Sequence, residues 1–139
     1  MDVNECIENR YLARVKPDEK LVKKELDESA YDLESAEKAL EDEDYKWCII
    51  KAYYCIFHAA RAVLFKSGYQ EKRHFAIGVV LEDLNKKGKL ESSYVNDFNA
   101  AMSVREDADY HYIHSKEIAE RSLEIAENFL DRMNVFIKK

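Results

Sequence analysis

Nineteen consecutive residues, Trp47 to Phe65 (WCIIKAYYCIFHAARAVLF), limit what this chain can fold into more than any other stretch. A helix built from them is apolar on nearly every side, and such a helix must be buried in a protein core or in a bilayer. The length is enough to span a membrane. Lys51, His58 and Arg61 argue against that, because ionisable groups at mid-span cost roughly 2.5–3.5 kcal/mol each on insertion scales. The remainder of the chain is also too charged for a one-pass membrane protein. The stretch therefore reads as the central helix of a bundle with no membrane partner, and the other helices must wrap around it.

Only three Gly and one Pro occur in 139 residues, and no run alternates with period two, which is an all-α signature. The expectation is a single up-and-down antiparallel bundle of about five helices over residues 17–139. Residues 1–16 read as a loosely held arm with one helical turn around Ile7 to Leu12. Pro17, Asp18 and Glu19 suit a helix start. From there Val22, Leu26, Ser29, Leu33, Ala36 and Leu40 repeat at spacings of four and three, which is a bundle seam. The central helix covers about 44–67, and Gly68 ends it. A third helix, about 73–87, turns Phe75, Val79, Val80 and Leu84 inward, and its Gly78 suggests a close helix contact. A fourth covers about 90–110, with Tyr94, Phe98, Ala101 and Val104 as its apolar stripe. Ser115 caps the last.

Cys6, Cys48 and Cys55 are odd in number. Cys48 and Cys55 stand seven apart in one predicted helix, about 10 Å between Cα atoms, beyond disulfide reach. Buried thiols in a reducing compartment are expected. The first twenty residues hold no apolar signal region, so the expected location is the cytoplasm.

The net charge of −6 argues mildly against nonspecific coating of nucleic acid. Its distribution is uneven: residues 17–44 carry −8, residues 45–90 carry +6 and residues 91–139 carry −4. A basic middle inside an acidic shell can seat a phosphate or steer a second subunit.

The richest polar cluster is Arg105-Glu-Asp-Ala-Asp-Tyr-His-Tyr-Ile-His114. Arg105 and Asp109 stand at i, i+4, the spacing of a local ion pair. Arg105 and His111 suit RNA cleavage chemically. A guanidinium presents a planar fork to a phosphate and stabilises charge building on it. An imidazole can take the 2′-hydroxyl proton or protonate the 5′ leaving oxygen. The two lie about 120° apart on an uninterrupted helix, so the helix must bend or end between them to bring them to one group. One histidine does not easily serve both proton transfers, and two copies across a symmetric dimer would. Asp107, His111 and His114 share a face at i, i+4, i+7, a spacing open to a divalent ion. Nothing else completes that set, so no metal or cofactor is assigned. His58, with Lys51, Tyr54 and Arg61 on its stripe, either forms an interior network or lines a cleft that takes phosphate.

Tyr53-Tyr-Cys-Ile-Phe-His-Ala-Ala-Arg-Ala-Val-Leu64, then Gly68, His74 and Arg105-Glu-Asp-Ala-Asp-Tyr110, resembles the HEPN domain family. The likeness is to its small prokaryotic branch and spans about residues 18–135. The resemblance implies a helical bundle that forms a homodimer. It implies frequent pairing with a minimal nucleotidyltransferase in toxin–antitoxin modules. It also implies, in catalytic members, a metal-independent endoribonuclease site of Arg and His across the dimer, onto which Arg105 and His111 map. Glu106, directly after the arginine, departs from the smaller or neutral residue more usual there. The alternative implied by the same resemblance is a non-catalytic module that binds a nucleotide or docks the nucleotidyltransferase. On either reading the phosphate-facing candidates are Lys51, His58, Arg61, Asp109 and Tyr110.

Overall fold

The computed structural model describes residues 1–139. The central stretch forms α3 (Tyr45–Ser67), in which thirteen side chains are buried. Asp44 caps it by accepting from the Trp47 N–H at 3.3 Å. Gly68 ends it at φ 86°, a left-handed conformation that disfavours any residue with a Cβ. Around α3 pack α2 (Glu19–Glu41), α4 (Phe75–Lys86), α5 (Ser92–Tyr110) and α6 (Lys116–Lys138). These five helices are the bundle expected from the sequence. Asp18 caps α2 by accepting from Lys20 N–H, leaving Pro17 just outside. Ser115 caps α6 by accepting from Ile118 N–H at 3.2 Å.

The three-residue turn after α2 makes α2 and α3 antiparallel neighbours, and Ser29 Oγ donates across them to the Cys55 carbonyl at 2.6 Å. α3 and α6 run parallel. Cys48 and Cys55, seven apart, point their thiols at the carbonyls of Ala119 and Ala126, also seven apart. Ala119 and Ala126 are fully buried, and their small side chains let the two backbones approach closely. All three cysteines are free and buried. Burial pushes the Cys48 thiol up to about 11 and the Cys55 thiol up to about 12, so neither is a nucleophile near neutrality. α3 is long and apolar enough to cross a membrane, but most of it lies inside this fold.

Two expectations need correction. Residues 1–16 are not a loosely held arm. They form α1 (Val3–Glu8) and β1 (Leu12–Arg14), and Val3, Cys6 and Leu12 belong to the same core cluster as α3. β1 pairs antiparallel with β2 (Tyr69–Glu71), Leu12 facing Glu71 and Arg14 facing Tyr69. The second correction is Phe75. As the first residue of α4 it is 47% exposed rather than inward, and its ring meets Tyr11 edge-on. Gly78 behaves as expected, since a Cβ there would stand 2.9 Å from Asn99 Oδ1 on α5.

Candidate functional site

Two polar centres lie on α3, one facing α5 and one facing α2. The first is built around Arg105, in the last turns of α5. Its guanidinium sits 5.7 Å from the Tyr53 ring centre, 6.0 Å from Tyr54 and 5.9 Å from Tyr110. Three aromatic faces around one cation each contribute electrostatic attraction. Asp109, one turn on, contacts the guanidinium at 3.3 Å, which is the ion pair expected from the spacing. Nε of Arg105 is buried without a hydrogen-bond acceptor. The side chain is about one-fifth exposed, so it borders solvent but is held by its walls.

Beneath the tyrosines lies His74. Its ring stacks within 5.4 Å of Phe57 and 5.8 Å of Phe98. Its Nε2 meets the Tyr53 hydroxyl at 2.5 Å. Burial pushes Tyr53 up to about 12, so the phenol keeps its proton in this contact. Burial lowers the His74 pKa; Glu71 opposes that and Arg105 adds to it. The sign follows. Below pH about 6.5 the unfolded chain protonates this histidine first, so stability falls as pH drops through that range. Half-buried Asp32 and Asp97, whose carboxyls are raised by partial burial, pull the other way at lower pH. The expected result is therefore a difference. Urea unfolding at a series of pH values shows a steeper loss of stability below pH about 6.5 for the unmutated chain than for His74→Gln.

His111 does not join Arg105 within one chain. α5 ends at Tyr110, as joint action required, but His111 turns back to Asp107, Nδ1 to Oδ1 at 3.0 Å, and stays largely exposed. Tyr112 follows at φ 59°, where the chain leaves the helix direction. That departure also breaks the expected face of Asp107, His111 and His114, since His114 no longer lies on the helix.

The second centre holds His58 and Arg61. His58 Nδ1 lies 2.6 Å from Glu25 Oε2, and its Nε2 lies 3.7 Å from Asp32 Oδ2. Arg61 reaches Glu25 at 3.2 Å and Glu71 at 3.0 Å, and lies over Phe57 and Phe65 at 5.5 Å each. Its Nε is off the hydrogen-bonding direction, so charge attraction holds that contact, and Glu71 Oε1 is buried without a donor. A phosphate at His58 and Arg61 would meet Glu25 and Glu71 already in place. The interior network is therefore the better account of this pair. Lys51, on the same stripe, is half-buried and close enough to Asp32 to favour its charged form.

Sequence reasoning missed Tyr53 as a wall for Arg105, the stacked His74, and the carboxylates of α2 and β2. A usable signal existed for the last group: Glu25, Glu28 and Asp32 recur at helical spacing beside the seam.

Residues 22–136 match the family model described as the HEPN domain, and the chain belongs to that family. A protein named "UPF0332 protein" from Archaeoglobus fulgidus is 28% identical over 123 residues, covering 82% of this chain and 98% of its own length. A protein named "Putative toxin" from Methanocaldococcus jannaschii is 31% identical over 112 residues, covering 77% of this chain and 81% of its own.

Proposed function

We propose that this HEPN protein is the toxin-like component of a two-protein module, cytoplasmic, homodimeric and paired with a minimal nucleotidyltransferase. Its activity is metal-independent cleavage of RNA at a site shared between the two subunits. Arg105 carries the reading: a guanidinium walled by three tyrosines and bordering solvent is suited to hold a phosphate while Tyr54 and Tyr110 offer faces to unpaired bases. Base–aromatic stacking is worth about 1–3 kcal/mol per base and tolerates any sequence. Single-stranded RNA is thus the substrate class. His111 exchanges the proton, and the exposed arrangement of His111 is compatible with meeting the partner subunit's Arg105. Trp47 and Tyr54, large aromatic side chains exposed on the helix that is otherwise mostly buried, support a surface covered by a second copy.

A second reading has its own observation. Asp109 on Arg105 and Asp107 on His111 place a carboxylate on each candidate, which suits a non-catalytic module that binds a nucleotide or docks its partner. Incubating the pure protein with unstructured RNA in excess EDTA separates the two. Cleavage without metal is the expected result; intact RNA across several sequences would favour the docking module.

A further inference from the structure

We propose that Glu28, Asp32 and His58 Nε2 form a binding site for a first-row divalent transition-metal ion, bridging α2 and α3. Their donor atoms lie within 4.8 Å of one another, one from each side chain. Glu28 and Asp32 stand one turn apart on α2, and His58 faces them from α3. Two ligands of one ion at bond lengths of about 2.1 Å sit roughly 3–4 Å apart, so small side-chain rotations close the set.

Three observations point to an ion rather than to a bare ion-pair cluster. The Asp32–His58 separation of 3.7 Å is longer than a hydrogen bond. It matches two ligands that share a centre. His58 Nδ1 is taken up by Glu25 at 2.6 Å, a contact that leaves Nε2 as the free lone pair. A carboxylate behind a ligating imidazole is the usual way proteins fix its tautomer and orientation. The charge count agrees. Glu25, Glu28, Asp32 and Glu71 face Arg61 and Lys51, which leaves two negative charges when His58 is neutral, and one divalent cation balances them. Two carboxylates and one imidazole, with water completing the shell, suit Mn(II), Co(II) or Zn(II) better than Ca(II). Bound there, the ion ties the antiparallel pair α2–α3 together from outside the core. This site neither uses nor requires the reading of Arg105.

Co(II) alone is the probe, titrated into the full chain without RNA and followed by its visible absorption and by calorimetry. One ion per chain is expected, with a raised melting temperature. Glu28→Gln, at an exposed position, and Asp32→Asn should each weaken binding about 10–100-fold, while circular dichroism stays unchanged. Saturation absent up to about 1 mM Co(II), or binding that survives both substitutions together, overturns the proposal.

Discussion

Arg105→Ala is expected to lower RNA cleavage by at least about 100-fold, the usual cost of removing a group that stabilises charge in the transition state. Helical content should not change, because the side chain caps no helix and its partners lie on a preformed surface. Arg105→Lys should recover little. An ammonium keeps the charge but loses the planar fork and the broad contact with three rings. Rates on a short RNA oligonucleotide, read beside far-ultraviolet circular dichroism, check both halves. Retained cleavage by Arg105→Ala would remove Arg105 from the site, and full activity of Arg105→Lys would show that charge without the planar fork suffices.

The largest stability effect is expected at Arg61, and its cause is different. Arg61 answers Glu25 and Glu71, each side chain about one-eighth exposed, and is itself one-quarter exposed. Removing one partner of a mostly buried pair leaves an uncompensated charge, at a cost of about 3–5 kcal/mol. For a chain of this size that lowers the melting temperature by about 10 °C or more. The strain falls on β2, because Glu71 stands opposite Leu12 in the hairpin that holds the N-terminal residues. Glu71→Gln in the Arg61→Ala background should recover a substantial part of the loss, since it removes the orphaned charge. Thermal melts of the two variants and the double variant test this. Additive destabilisation in the double variant would show that the carboxylate is not the source.

How legible each part was depended on where its signal lay. α3 could be read because all-round apolarity has one solution in a helical bundle, and its ends carried Asp44 and Gly68. The seam of α2 and the Ser115 cap were local patterns and appeared where expected. The N-terminal residues were not legible. A six-residue helix and a three-residue strand are too short to repeat a pattern, and the strand's partner lies more than fifty residues away. Phe75 misled because helical spacing does not fix where the buried face ends: Ala76 and Ile77 beside it are fully buried, while Phe75 faces out.

The site was legible by half. Arg105 with Asp109 follows from spacing within one helix. The tyrosine walls and the stacked His74 depend on how α5 and the start of α4 seat against α3, which a single chain's pattern does not fix. His58 and Arg61 were recognised as a stripe with two readings, and the facing carboxylates favour the interior one.

The central claim, a site shared between subunits, is tested most directly by co-expressing unmutated chains with chains that carry both Arg105→Ala and His111→Ala. A mixed dimer then has Arg105 and His111 in one subunit only, so no site that draws on both subunits is complete. Random pairing leaves roughly a quarter of the dimers unmutated. Activity near a quarter of the unmutated level, in EDTA, is the expected result. Activity near one half, with mixed dimers shown to be present by mass spectrometry, would contradict a shared ribonuclease site, because each intact chain would then be cutting alone.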